Sequence, residues 1–229
     1  MNLFQQVLKE DLMHFAMGFL VHDTPVMFRE LMQAGNMSHD YYYWWRAQSI
    51  SYIVRPNART LGELERRRGL VFGGGDIEEG TISVHVRHGD KWKEMKLADD
   101  PTYLKAVEDL VTIRLGPTLK RKIFLSTEDA ATVKFFSKVK KWNTRWTNVS
   151  RVSDSTISPT SFAARIGWNE EFLNSLLSLQ LALECDAWVG QISSNWCRLI
   201  DELRSTSRCK HDHLYYDVWS GTTITDYDW

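Results

Sequence analysis

The apolar residues of this chain follow two rhythms, and the change between them divides it. Through residues 1 to about 70 they recur at helical spacing, with Leu3, Val7, Leu8 and Leu12 marking a first helix. A second helix runs from about Tyr41 to Val54 and stops before Pro56, since the residue before proline disfavours helix. Thr60–Arg68 predicts a short charged helix. The stretch GGGDIEEG, Gly73–Gly80, then reads as a surface linker. Its triple glycine precedes no lysine-serine pair and leads into a strand, so it is not a phosphate loop.

Beyond Gly80 short strand-like runs alternate with helical ones. Thr81–Arg87 predicts a strand, and Asp100–Leu115 a helix with Leu104, Val107, Val111 and Leu115 on one face. Lys122–Ser126 predicts a strand, Ala130–Val139 a helix and Thr147–Val152 a further strand. Asn169 is placed as the cap of a helix whose first turn carries Glu170 and Glu171, both favourable at its positive end. Leu173, Leu176, Leu177, Leu181 and Ala182 continue that helix. Asp186–Gly190 predicts a short strand, and Trp196, Leu199, Ile200 and Leu203 the buried stripe of the next helix. Strands separated by helices imply an α/β fold, a Rossmann-like parallel sheet with helices on both faces, preceded by a helical segment. The expected division is residues 1–75 for that segment and 76–229 for the sheet domain.

Composition narrows the function. At 229 residues the chain can bury a sizeable core, and 28 basic against 29 acidic residues supply no bulk field for nucleic acid or an anionic membrane. Positive charge must act locally. No apolar run approaches the roughly 18–20 residues of a membrane span. Lys9, Glu10 and Asp11 stand where a signal peptide would have its apolar centre. Cys185, Cys197 and Cys209 admit either one bridge plus a thiol or three reduced thiols.

The candidate chemistry gathers at strand ends. The strand ending in Val86 delivers His85, Arg87, His88, Asp90 and Lys91 together. A guanidinium is a planar fork of donors that matches phosphate and cannot lose its proton, so Arg87 suits a diphosphate, with Lys91 beside it. The plainer reading is an Arg87–Asp90 salt bridge that ties a turn. QISSNWCR (191–198) again separates a strand from a helix. Ser194 falls at the N-cap, with Ser193 and Asn195 beside it, where free N–H groups favour an anion. Capping alone would explain Ser194. At STEDAA (126–131), Glu128 and Asp129 are placed either to accept from ribose hydroxyls or to cap a helix. His85, His88 and Asp90 make a poor metal set, because Arg87 and Lys91 would repel a cation. Of ten tryptophans, Trp92 lies near enough to stack on a sugar, whereas Trp142, Trp146, Trp188 and Trp196 sit at core-like spacings.

These motifs carry a resemblance. HVRHGDK resembles the HVR-R-x-D-K motif of α1,6-fucosyltransferases, both the N-glycan core type and the rhizobial Nod-factor type. WWRAQSISYIVRP, RKIFLSTED and ECDAWVGQISSNWCRLIDEL resemble three further segments of that family, in order and register from about Tyr43 to Tyr216. The resemblance implies the C-terminal nucleotide-binding lobe of a GT-B glycosyltransferase. It implies transfer of fucose from GDP-fucose to a glycan acceptor, with inversion and without metal or other cofactor. It assigns His85 to the guanine side, Arg87 to the β-phosphate and Lys91 to the acceptor end. His88, Asp90, Glu128 and Asp129 would line the donor pocket, with Ser193, Ser194 and Asn195 around the diphosphate. The catalytic set this suggests is Arg87, Lys91 and Glu94, with Asp99 and Asp100 as reserve bases; the plainer reading of Glu94 is a solvated glutamate in the charged run Lys93–Lys96.

Departures accompany it. The family's second motif arginine is His88, its later glutamate matches Met95 with Glu94 one position earlier, and a guanine-reading aspartate aligns with Ser178. GDP-mannose or another nucleotide sugar therefore stays open as donor. Family members carry an N-terminal lobe and a membrane anchor ahead of this region, so the expectation is a fragment, a truncated product or a degenerate relative. The resemblance to the N-glycan core type suggests the Golgi lumen, and the sequence itself leaves the compartment undecided. The alternative function is a non-catalytic nucleotide- or glycan-binding module derived from such an enzyme.

Overall fold

The computed structural model describes residues 40–93, 95–113, 117–151 and 159–221. The first predicted helix, with Leu3 to Leu12, lies outside them. Two helices open the described chain: α1 (Asp40–Ile53) and α2 (Ala58–Val71), the latter capped by Asn57, which accepts from Thr60 N. A parallel α/β unit follows: β1 (Ile82–Val86), α3 (Asp100–Thr112), β2 (Lys122–Thr127), α4 (Ala130–Phe136) and β3 (Asn143–Arg145). It continues with α5 (Pro159–Ile166), α6 (Trp168–Glu184), β4 (Ala187–Gly190), α7 (Asn195–Thr206) and β5 (Tyr215–Asp217). The five strands form one sheet in the order β3-β2-β1-β4-β5, every pair parallel. This is the expected Rossmann-like arrangement, and its order reverses between β1 and β4.

Two apolar layers sandwich the sheet. Ile82, Val84 and Val86 of β1, with Ile123 and Leu125 of β2, face α3 and α4 through Tyr103, Val107, Leu110 and Phe136. Phe124 and Trp188 face the other way, toward Leu64 of α2, Leu177 and Leu181 of α6, and Ile200 and Leu203 of α7. The opening helices are built onto this second layer. Two arginines fix α2 to α6: Arg67 bonds Glu170 at 2.6 and 2.8 Å, and Arg68 bonds Glu184 at 2.7 and 2.8 Å. Gly80 N donates to Asp186 at 2.7 Å and Arg68 Nε to the Gly75 carbonyl at 2.9 Å, so the glycine-rich linker is tied at both ends.

Four expectations need correction. The buried face of α3 is Tyr103, Ala106, Val107 and Leu110, rotated from the predicted stripe because the Tyr103 ring supplies apolar surface that a count of aliphatic residues misses. The strand predicted at Thr147–Val152 is instead β3, Asn143–Arg145. Arg151 coils the later segment by donating to the Thr127, Val149 and Thr147 carbonyls, and Val152 lies outside the described residues. Asn169 does not cap α6; Gly167 occupies that position and Asn169 falls in the first turn. The helix predicted to reach Val139 ends at Phe136. All three cysteines are free, Cys185 and Cys197 buried and Cys209 exposed.

A buried polar seam joins α1 to α7. The Arg46 guanidinium donates to the Glu202 carboxylate, with both side chains buried. Tyr43 Oη donates to the Asp201 carbonyl at 3.1 Å, and Arg204 Nε to Asp201 Oδ1 at 2.6 Å. Burial pushes the Glu202 carboxyl up to about 7 despite Arg46. Removing one partner of such a pair strands a buried charge and typically costs about 3–5 kcal/mol, while replacing both by apolar groups costs far less. Arg46→Met should therefore lose about that much in urea unfolding at pH 8, and Arg46→Met/Glu202→Leu should recover most of it. At pH 5, where Glu202 is protonated, the single variant's deficit should shrink.

Candidate functional site

Strand alternation sends Ser83 and His85 of β1 toward the α7 face and carries Arg87 to the sheet's C-terminal edge, where the order of strands reverses. His85 is 7% exposed. Its Nδ1 lies 3.3 Å from Ser126 Oγ, its ring 6.2 Å from that of Trp196, and its buried Nε2 has no hydrogen-bond partner. Burial, and secondarily the charge of Arg87, push His85 down to about 3, so the ring is neutral.

Register fixes the next two residues. Val86 pairs with Thr127, which sets Arg87 opposite Glu128 and His88 opposite Asp129. Arg87 Nη1 donates to Glu128 Oε1, which also receives the His88 amide at 3.3 Å. His88 Nδ1 lies 2.9 Å from Asp129 Oδ2 and its Nε2 3.0 Å from the Ala98 carbonyl. Asp129 also caps α4, accepting from Ala131 N at 2.8 Å. Glu128 is thus one partner of Arg87. Gly89, with φ of 70°, turns the chain into a 3-10 segment, Gly89–Lys93, that holds Lys91 and Trp92. The Asp90 side chain and Glu94 lie outside the described residues.

The facing loop leaves β4 at Gly190, where an added Cβ would sit 2.5 Å from Tyr215 Oη and 2.7 Å from Cys197 Sγ; only glycine lets the strand end approach α7 so closely. Ser194 takes the N-cap position of α7 with no side-chain capping bond, and its amide donates to the Gln191 carbonyl at 2.8 Å. Ser193 is exposed, its hydroxyl 3.9 Å from Met95 Sδ. Asn195 Oδ1 accepts from Arg198. Among the described residues no group of three or more His, Cys, Asp or Glu side chains is placed to hold a metal ion.

Several residues at this edge escaped the sequence reading. Gln191 is buried, donates from Nε2 to the Lys96 carbonyl at 2.6 Å, and leaves Oε1 without a partner. Asp217 accepts the amides of Ile192, Trp219 and Ser220 at 2.8–3.0 Å, joining the ends of β4 and β5. Glu171, at the N-terminal turn of α6, is pushed up by burial and feels the charge of Glu128. Position at a strand's C-terminal end was the available signal for Gln191 and Asp217. Glu171 gave none, because acidic residues at a helix start are ordinary.

A family model described as "Alpha-(1,6)-fucosyltransferase N- and catalytic domains" matches residues 24–217. The chain belongs to the α1,6-fucosyltransferase family. An "Alpha-(1,6)-fucosyltransferase" of Drosophila melanogaster is 26% identical over 168 residues, covering 71% of this chain and 25% of that protein. The chain thus spans about a quarter of that curated relative. A crystal structure of NodZ α1,6-fucosyltransferase soaked with GDP-fucose matches with a TM-score of 0.40 and 17% identity, over 65% of this chain and 43% of that one. In this fucosyltransferase-family chain no described helix is long and apolar enough to cross a membrane.

The buried His85 predicts an acid-dependent loss of stability. Its folded value lies below the unfolded one of about 6.5, so the unfolded chain binds a proton first. Stability from this group is full above about 6.5 and declines as pH falls toward 3. At pH 5 the loss is about 2 kcal/mol. Urea unfolding of His85→Gln at pH 7 and pH 5 should show a difference smaller by about that amount.

Proposed function

We propose that this chain binds a GDP-sugar, GDP-fucose in the first place, in the crevice between the ends of β1 and β4, and transfers fucose to a glycan hydroxyl. The observation that supports this most is Arg87, held by Glu128 at the strand reversal, in a family whose model spans residues 24–217. In the reaction the acceptor oxygen bonds to the sugar's anomeric carbon as the bond to the β-phosphate oxygen breaks. Negative charge builds on the departing diphosphate. Arg87, Lys91 and the amides at the start of α7 stabilise that charge mainly in the transition state. In-line attack inverts the anomeric centre, and this positive field serves where a divalent cation would otherwise be needed.

His85 lies on the nucleoside side, with Glu128, Asp129, His88, Asp90, Ser193, Ser194 and Asn195 around the donor. A base must take the acceptor proton. Asp99 caps α3 through Thr102, and Asp100 accepts from Thr132 Oγ1 at 2.8 Å, so both reserve carboxylates already have structural partners. Glu94, in the loop of Lys91, is the base in this proposal.

A non-catalytic nucleotide- or glycan-binding module derived from such an enzyme is the second reading, supported by the structural partners that Glu128, Asp99 and Asp100 already hold. Calorimetry and turnover separate the two. GDP should bind and Arg87→Lys, which keeps charge but loses the fork, should weaken it about tenfold or more. GDP affinity should be unchanged in EDTA. Acceptor-dependent GDP release from GDP-fucose supports the transferase, and Glu94→Gln should then lower it at least about a hundredfold with donor binding intact. Binding without turnover supports the module, and absence of GDP binding overturns both.

A further inference from the structure

Away from the crevice, positive charge collects at the opposite edge of the sheet. Six cations come from two short runs: Lys120, Arg121 and Lys122 lead into β2, and Lys138, Lys140 and Lys141 precede β3. The helix α4 separates the runs in sequence, and the sheet brings them together. Lys122 pairs with Asn143 across β2 and β3, and the Asn143 amide donates to the Arg121 carbonyl at 3.0 Å. Paired strands lie about 5 Å apart, so the two runs stand side by side. Every strand is parallel, which puts both runs at the N-terminal edge of the sheet.

The second run has a fixed backbone. The amides of Lys138, Lys140 and Trp142 donate to the Phe135, Lys138 and Val139 carbonyls, each at 3.0 Å. Val139 and Trp142 pack into the α3–α4 layer, which leaves Lys138, Lys140 and Lys141 exposed between them. The Arg121 guanidinium lies 5.9 Å from the centre of the Trp142 ring and joins one run to the other. Carboxylates answer only part of this charge. Lys122 bonds Glu78 and Lys141 bonds Glu108. Lys120, Arg121, Lys138 and Lys140 are exposed and make no ion pair among the described residues. Lys122 first, then Lys120 and Arg145, hold the Glu78 carboxyl below the usual range. The whole chain has a net charge of -1, so this excess is a local concentration.

We infer that this edge binds a sulfated polysaccharide, laid across the two runs on the side of the sheet away from the crevice. Five of the six cations are lysines, compact point charges on flexible stems. Such a set meets anionic groups spaced along a chain, whereas a single phosphate favours an arginine fork. What the edge lacks narrows the partner further. Among the described residues, none of the exposed large apolar side chains lies between positions 117 and 151. A helix that lies on a membrane adds apolar insertion to its basic charge, and a single-stranded nucleic acid needs exposed rings to stack on. Trp142, the aromatic at this edge, is buried. Duplex-binding domains are basic as a whole, and this chain is not.

Calorimetry of the full chain with heparin, at 50 and 150 mM salt, tests this. Desulfated heparin, duplex DNA, polyglutamate and phosphatidylserine vesicles are the comparison ligands. Heparin should bind most tightly, and more weakly at the higher salt, because binding releases counterions. Lys138→Gln/Lys140→Gln/Lys141→Gln and Lys120→Gln/Arg121→Gln should each weaken it about tenfold or more. Arg59→Gln/Lys105→Gln, which removes two exposed charges elsewhere, should leave it within about twofold. Thermal unfolding of each variant reports that it folds. Absence of heparin binding, equal binding of the desulfated polymer, or equal loss in the Arg59/Lys105 control overturns the inference. Tighter binding of DNA, polyglutamate or vesicles, lost in the same two variants, overturns it in favour of that partner.

Discussion

The reversal of strand order at β1 is the constraint from which the site follows. β1 lies at the sheet's centre, hydrogen-bonded to β2 on one side and β4 on the other, all parallel. The chain leaving β1 turns to α3 on one face, and the chain leaving β4 turns to α7 on the opposite face. Two neighbouring strand ends whose connections diverge must leave a gap between them. Alternation along β1 then decides what faces that gap. Val84 and Val86 are committed to the α3 layer, so His85 goes toward Trp196 on α7. A one-residue slip of β1 would turn His85 into the apolar layer that now holds Val84 and Val86, and would bury Arg87 beside it, which is why the register is firmly held.

Charge at the edge is organised as two adjacent rungs, Arg87 with Glu128 and His88 with Asp129. A carboxylate beside the arginine proposed to hold a diphosphate weakens the attraction for an anion, and it also fixes the guanidinium's orientation before any ligand arrives. Pre-orientation lowers the cost of binding more than surplus charge would, because the donor fork then need not be ordered by the ligand. Burial pushes the Glu171 carboxyl up, and the nearby Glu128 charge pushes the same way. His88 stands where the family pattern has a second arginine, and both its ring nitrogens lie against protein atoms. In the proposed reaction its work is to brace the β1 loop against α4 and leave the phosphate to Arg87.

The sheet domain was legible because its strands are short, uninterrupted apolar runs whose ends carry the polar residues. Asp186–Gly190 and Lys122–Ser126 differ from the observed strands by a single residue. The errors share a physical origin: tertiary hydrogen bonds override local preference. Thr147–Arg151 has strand-like composition, yet Arg151 reaches back to the Thr127 carbonyl at 3.1 Å and coils it. β5 was missed because Tyr215–Asp217 is three residues long and its place at the sheet edge comes from pairing with β4. Of the site, Arg87 and Ser194 could be found from their positions. The long-range bonds around them could not, because Glu128 lies 41 residues from Arg87, and Gln191 lies 95 residues from the Lys96 carbonyl that ties the Ser194 loop to the loop after β1.

The same distances bear on catalysis. Around the crevice most carboxylates hold something: Glu128 holds Arg87, Asp129 holds His88 and the start of α4, Asp99 caps α3, and Asp217 gathers three amides. A carboxylate whose oxygens already accept several hydrogen bonds has little acceptor capacity left for a substrate hydroxyl. Asp217 is the clearest case. Its value to the site is mechanical: by binding Ile192, Trp219 and Ser220 it locks the α7 loop to the strand beyond it. The acids that anchor the crevice are therefore poor candidates to take a proton, and the proposed transfer depends on a carboxylate outside this scaffold. In that reading the fold divides its acids between holding the donor loops still and reacting, and the loop after β1 supplies the reacting group.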